Sequence, residues 1–437
     1  METNKTKETE KLSVCLVFVP HQDDEINLIG NCSRYLLEFY DLYVIYSSLD
    51  TDIEKSEIRK FEAKKSCEIL GIPGNHIFFM GYPDTPNSIG NHFFEEPEMH
   101  HKVVADICHI LKFYKPELII GTDFDYHSDH RMLSIALEEA VCQCINKNYQ
   151  PFVLKGFCYE TAYYGIPDYS AVKLGKTKIF KELLSNPSYE WKKRVSLPTR
   201  ETEGYIWKKR IYFALKQHMS QYAVLHAASI INADNVFWNK RTDNIALYSD
   251  ITCSSGNNKA LNDFKIIDTD DIITIDPRKI DYTKGLWKPE NSDKEPWINI
   301  VLPSKSYIEK IIFHGNPGKK GQTTEIEIFI NDCKFICKNL NDYGRETRIE
   351  IHKDNIQEIK IRIKKRNKEF ALSEIEVFEA DQRFHLFSNV ETETHTIYKK
   401  YKSINTFQEC INSIGFNIII LFTKIKRKLS KIYSIKI

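Results

Sequence analysis

No charge of one sign dominates this chain: 61 Lys and Arg stand against 60 Asp and Glu, for a net charge of +1. A balanced chain has no whole-molecule field to attract a polyanion, so any basic signal has to be local. The short run Lys364, Lys365, Arg366 and Lys368 lacks interleaved stacking aromatics and reads as an exposed turn, so no nucleic-acid partner is expected. Zinc-type cysteine pairs are missing as well. The closest of the 11 cysteines are Cys142/Cys144 and Cys333/Cys337, neither part of a doubled CxxC pattern, and an unpatterned odd set suits a reducing compartment. Met1 to Lys11 is polar and mixed in charge, without the basic start and apolar centre of a secretory signal, so a cytoplasmic location is expected. There is no internal repeat and no low-complexity tract.

What is present has two textures. A chain of 437 residues predicts two or three domains at about 150 residues each. From Leu12 to about Glu160, apolar strand-like runs (Val14 to Val19, Leu42 to Ser47, His76 to Met80, Glu117 to Gly121, Val153 to Tyr159) alternate with helical stretches (Ile53 to Leu70, Glu98 to Phe113, His130 to Lys147). That alternation predicts an α/β domain with a mainly parallel, Rossmann-like sheet and flanking helices. His100, His101 and His109 fall on a solvated helix face and are not expected to act as ligands. Tyr169 to Thr202 is basic and irregular, and Ile206 to Tyr222 reads as a helix. From about Gly256 short period-two runs such as Ile326 to Ile330 and Ile359 to Ile363 predict an antiparallel β-sandwich. The expected units are 1–250, 256–380 and a tail, 381–437. In the tail, Ile411 to Phe422 is apolar but shorter than the roughly 20 residues that span a bilayer, and runs into Lys424, Lys426, Arg427, Lys428 and Lys431. It predicts either a helix docked by its apolar face with the lysines in water or a peripheral contact with an anionic membrane.

Chemistry concentrates at two strand ends. His21-Gln22-Asp23-Asp24-Glu25 follows the run ending in Pro20, and Asp123-Phe124-Asp125-Tyr126-His127-Ser128-Asp129-His130 follows the run ending in Gly121. A charge cluster has no structural role at the end of a buried strand, and ligands of open parallel sheets bind at strand carboxyl ends. Two imidazoles and a carboxylate make a common catalytic zinc set, because three protein ligands leave a position for water. A spare carboxylate can then take a proton and a spare histidine can serve an oxyanion or a leaving amine. Spacing alone leaves open which of Asp23 and Asp24 is ligand and which is base, and iron, cobalt or manganese would suit the same set.

Both clusters resemble hallmarks of the PIG-L/LmbE-like deacetylases, a His-x-Asp-Asp-Glu loop and a later His-x-Asp-His. Gln22 stands where many members have proline. Arg59, Glu62, Ala63, Leu70 and Gly71 are similar to the family's Arg-x-x-Glu-Ala helix, Gly81-Tyr82-Pro83-Asp84 to its Gly-aromatic-Pro-Asp turn, and Ala214, Leu215, His218, Ser220 and Gln221 to its Ser-Gln helix. The resemblance spans about residues 12 to 250. It implies zinc bound by His21, Asp24 and His130, Asp23 as general base, His127 at the oxyanion or leaving amine, and Asp129 orienting a neighbouring histidine. Tyr126 is close to a tyrosine that serves some members. The implied reaction is removal of an N-acetyl group from an N-acetylated amino sugar or glycoconjugate. Arg59 and Asp84 could hold sugar or phosphate groups, or Arg59 could form a structural salt bridge. Leu286-Trp287, Trp297 to Leu302 and Ala371 to Val377 resemble the galactose-binding-like (discoidin-like) jelly roll, which implies polysaccharide binding or a packing role, with Trp287 and Trp297 as core residues or sugar platforms. The alternatives are an amidase or deacylase for a larger N-acyl group, and a glycan-binding protein without turnover. Oligomeric state, aglycone and carrier are left open.

Overall fold

The computed structural model describes residues 12–84, 89–125, 127–158, 195–197, 209–226, 235–270, 280, 282, 284–320, 322–380 and 406–434. Tyr126, Tyr159, most of the stretch read as irregular from Tyr169 to Thr202, and the start of the helix expected from Ile206 lie outside them.

The first unit is built around β1 (Ser13–Val19), β2 (Tyr40–Leu49), β3 (Ile77–Pro83), β4 (Leu118–Thr122) and β5 (Phe152–Gly156). They run parallel in the order β3-β2-β1-β4-β5. Two antiparallel strands, β7 (Asn235–Lys240) and β6 (Val195–Leu197), complete a seven-stranded sheet. The helices are α1 (Asp24–Ile29), α2 (Ser33–Phe39), α3 (Ile53–Leu70), α4 (Ile89–Glu95), α5 (Pro97–Tyr114), α6 (Ser128–Cys144) and α7 (Arg210–Gln217). Period-two geometry divides β1 between two cores. Cys15, Val17 and Val19 pack with Ala63 and Leu70 of α3 and Leu215 of α7, while Leu16 and Phe18 pack with Ile107 of α5 and Leu133 of α6. A strand covered on both faces has to be apolar throughout, which is why its run is continuous. Each such buried side chain contributes roughly 1.5–3 kcal/mol, enough to hold the strand end where the polar loop begins.

The chain leaves β1 towards β2 and β3 on one side, and returns to β4 and β5 on the other, so strand order reverses between β1 and β4. Phe18 is in register with Gly121, and the loops after the two strands therefore start side by side. At Gly121 a Cβ would lie 2.4 Å from Leu137 Cδ2; the glycine leaves room for that side chain of α6 over β4.

The second unit consists of β8 (Asp250–Cys253), β9 (Trp297–Gly315), β10 (Thr323–Ile330), β11 (Cys333–Cys337), β12 (Thr347–Arg366) and β13 (Leu372–Phe378), all antiparallel, in the order β11-β10-β12-β9-β13 with β8 on β9. β9 and β12 pair twice: residues 297–301 meet 358–362, and 308–313 meet 347–353, with register shifts between. Bulges of this kind let one strand serve both layers of a sandwich. The antiparallel sandwich read from the period-two runs is present, and β8 enters it before the change of texture at Gly256. Trp287 is fully buried in its core, whereas Trp297 is 42% exposed.

Two local expectations change. The helix read from Ile206 to Tyr222 is seen over Arg210–Gln217; His218 leaves helical geometry and turns its ring to Glu25, at 2.7 Å. Val195–Leu197, inside the stretch read as irregular, is a strand because β7 supplies its partner. In the tail, α8 (Thr406–Ser434) is a helix of 29 residues, and no described helix is long and apolar enough to cross a membrane.

Candidate metal centre

The loop after β1 turns through Asp23, whose backbone sits at φ 127, a region that strains a residue with a Cβ by roughly 1–3 kcal/mol. The Glu25 carboxylate holds the turn by accepting from the Asp23 amide at 2.9 Å, from Ser66 at 2.8 Å and from His218 Nε2 at 2.7 Å. In this way the loop presents Asp24 inward, buried, and leaves Asp23 half-buried. The loop after β4 ends at His127, whose Nδ1 caps α6 by accepting from the Asp129 amide at 3.2 Å.

These two loops bring three atoms together. His21 Nδ1 and Asp24 Oδ2 are 3.2 Å apart, Asp24 Oδ2 and His130 Nε2 3.3 Å, and His130 Nε2 and His21 Nδ1 3.3 Å. A divalent metal about 2.0–2.1 Å from each of three corners of a tetrahedron requires edges of about 3.3–3.4 Å. The triangle therefore fits such an ion without rearrangement. The outer nitrogen of each imidazole meets a carboxylate: His21 Nε2 meets Asp129 Oδ2 at 3.0 Å, and His130 Nδ1 meets Asp125 Oδ2 at 2.8 Å. A carboxylate only accepts, so each outer nitrogen carries a proton, and the inner nitrogens, which face Asp24, become ligands once they give up theirs.

The electrostatics agree with a cation site. Burial by itself would lower His21, but Asp129, Asp24 and Asp84 outweigh it and push it up to about 10; burial of His130 is likewise outweighed by Asp125 and Asp24. Asp24 is held well below the carboxylate range against its burial by His130 and His21. Asp23 goes the other way, pushed up to about 7 by burial and by the charge of Asp24. Burial, then the charges of His21 and His130, lower His127 to about 4, so it is neutral near pH 7. Its ring stands edge-on to His21 at 4.7 Å between centroids. Cys158 also lies within reach of Asp24 and His130. Burial pushes its thiol up, and it donates to the Asp24 carbonyl, so it is a neutral wall of the site.

Residues 16–141 match the family model described as PIG-L: GlcNAc-PI de-N-acetylase. They form a PIG-L family domain. Both the His21–Glu25 loop and the His127–His130 motif fall within that match, and the family is one of N-deacetylase-type hydrolases. No curated protein matches the chain. Among solved structures, the chain is similar to the lectin domain of lectinolysin complexed with Lewis B antigen (18% identity, 32% of this chain and 99% of that one, TM-score 0.26). It is also similar to a fucose-binding module of Streptococcus pneumoniae (19%, 32% and 98%, TM-score 0.24), and to a family 32 CBM from C. perfringens in complex with galactose (14%, 31% and 96%, TM-score 0.24).

All six site residues named from the sequence, His21, Asp23, Asp24, His127, Asp129 and His130, come to this one crevice. Asp129 Oδ2 meets Nε2 of His21, on the opposite loop. Sequence reasoning gave no role to Asp125, which backs His130, or to Gly90, whose amide donates to Asp129 Oδ1 at 2.8 Å. A Cβ at Gly90 would lie 2.4 Å from the Ser128 carbonyl carbon; an α4 glycine gives no sequence signal of that approach. Glu62 of α3 accepts from the Ser220 hydroxyl at 2.6 Å, which joins two of the secondary motifs. Arg59 forms a buried ion pair with Asp84 at 2.9 Å, and the other oxygen of Asp84 lies 3.5 Å from His21.

Proposed function

We propose that this chain is a metal-dependent N-deacetylase that removes the acetyl group from an N-acetylamino sugar or its conjugate, with zinc as the metal and a cytoplasmic site of action. The observation that carries the proposal is the triangle of His21 Nδ1, Asp24 Oδ2 and His130 Nε2, with both imidazoles backed by carboxylates and Asp23 half-exposed beside it. A divalent metal held by those three residues supplies a Lewis acid that acidifies water and polarises a carbonyl oxygen.

The chain's own residues do the rest. Asp23 accepts the proton of the attacking water as its oxygen bonds to the amide carbon, and its elevated pKa near 7 suits a group that must later give that proton up. His127 receives the Asp129 amide on Nδ1, so its single proton is on Nε2, where it donates to the oxygen that gains charge. Collapse breaks the C–N bond, Asp23 returns the proton to nitrogen, and the amine leaves with acetic acid, which gives its remaining proton to the amine or to solvent to become acetate. Asp129 and Asp125 touch no reacting atom; they position His21 and His130. Arg59 and Asp84, whose buried ion pair reaches His21, are the candidate contacts to the sugar. The β-sandwich is proposed to engage glycan, supported by the exposed indole of Trp297.

The test is acetate release by purified protein over a panel of N-acetylamino sugars, free, nucleotide-linked, oligomeric and lipid-linked, with chelator and zinc as paired controls. Metal-loaded protein inert across that panel and across larger N-acyl amides would sink the proposal.

A further inference from the structure

Helix α8 meets the rest of the molecule with an unexpected face. Ile419 and Ile420 pack against the first core, the Ser430 hydroxyl lies 2.8 Å from the Tyr222 hydroxyl, and the Arg427 guanidinium covers the Tyr222 ring at 5.7 Å. The larger apolar face points away. Ile414, Ile418, Leu421, Phe422, Ile425 and Leu429 are each 44–67% exposed, and at 3.6 residues per turn they fall in one stripe about 100° wide. Docking through the apolar face with the lysines left in water, one of the two readings of this segment, is therefore not what the structure adopts.

The flanks of the stripe identify its occupant. Residues 410–434 hold Lys424, Lys426, Arg427, Lys428 and Lys431 and no Asp or Glu, and on the helical wheel Lys424 and Lys428 border one side of the stripe and Lys426 the other. A second copy of the chain laid on this face would bring like charges together; an anionic lipid surface would meet them with opposite charge while its acyl boundary covers the stripe. We propose that α8 seats the protein on an anionic membrane surface, lying in the interface and not crossing it. The inference is independent of the reaction at the metal centre.

Sedimentation of the full chain with vesicles tests it. The chain pellets with phosphatidylcholine vesicles that contain phosphatidylglycerol, less so as salt is raised, and not with phosphatidylcholine alone. Leu421→Gln with Phe422→Gln removes most of that binding. Changing Lys424, Lys426 and Lys428 to Gln weakens it by about fivefold per charge, about a hundredfold together. All changed side chains are exposed, so the thermal midpoint of each variant stays that of the parent. A chain that stays in the supernatant with anionic vesicles, or variants that pellet as well as the parent, would overturn the proposal. So would a lipid-free dimer that the Leu421→Gln, Phe422→Gln pair dissociates, since the stripe would then belong to a second copy.

Discussion

His21 Nε2 lies 3.0 Å from a carboxylate oxygen of Asp129, a residue 108 positions further along the chain. The contact holds the His21 ring and aims its Nδ1 at Asp24 and His130. Asp129→Asn keeps the shape of the side chain and removes the charge that makes the imidazole a good ligand. Metal affinity, measured by competition with a chromophoric chelator, should fall about 10–100-fold, with activity recovered at high metal. Asp125→Asn should act alike through His130. Unchanged affinity in both would mean that these carboxylates do not serve the site.

Asp23→Asn should lower turnover by about 10²–10⁴-fold while metal content stays at the parent's stoichiometry. The pH profile follows from the same residue. Protonated Asp23 cannot accept a proton, so activity falls as pH drops, and the positive charge of a bound metal places that acid limb at or below the value of about 7 that burial and Asp24 impose. An acid limb well above pH 7 would point to another base.

Chelation should abolish acetate release and leave the fold in place, because the protein's own hydrogen bonds already hold the triangle of ligand atoms. Returning zinc at about a hundredfold excess over its Kd should stabilise the chain by about 2.7 kcal/mol, read as a rise in Tm. Uptake should release protons from His21 and His130, so affinity should weaken as pH falls. Loss of the circular dichroism of the folded chain on chelation would contradict a preformed site.

Beneath the site, Lys155 is fully buried and donates to Glu138 at 3.0 Å and to the Ser134 hydroxyl at 2.8 Å. Lys155→Met should cost about 3–5 kcal/mol in denaturant unfolding, since it strips a buried carboxylate of one partner. Burial alone would raise Glu138, but the charges of Lys155 and Lys240 outweigh it and hold the carboxyl below its ordinary 4.5. The stability this adds is present above pH 4.5 and is lost as pH falls through the lower folded value. Glu138→Gln should flatten the acid side of the stability curve.

On the sandwich, Trp297→Ala should weaken retention on polysaccharide affinity gels without a change in Tm, because the indole is half out of the fold. Trp287→Ala should instead destabilise by about 3–5 kcal/mol. Equal retention of the Trp297 variant and the parent would remove that indole from any glycan contact.

Much of the architecture was legible because it depends on local pattern. The continuous apolar run of β1, the span of α3 from Ile53 to Leu70, and the period-two strands of the sandwich all follow from nearest neighbours along the chain. β6 was not, since three residues become a strand only when β7 offers them hydrogen bonds. Nor was the end of α7, where a buried ion pair with Glu25 drew His218 out of the helix. For α8 the composition was plain, but which face would turn inward depended on Tyr222.

The sequence by itself determined the site's inventory: one loop with a histidine and three carboxylates, a second with two histidines and three more, each at the end of a buried strand. That much is chemistry of residue type and strand polarity. Tertiary structure decided the division of labour. Only the β1–β4 register sets the two loops side by side, and only then do Asp24 and His130 close a triangle with His21, Asp129 reach across to back His21, and Glu25 turn away to His218. Roles inside a cluster are set by distances of 3 Å between residues a hundred positions apart, and no spacing within either loop encodes them.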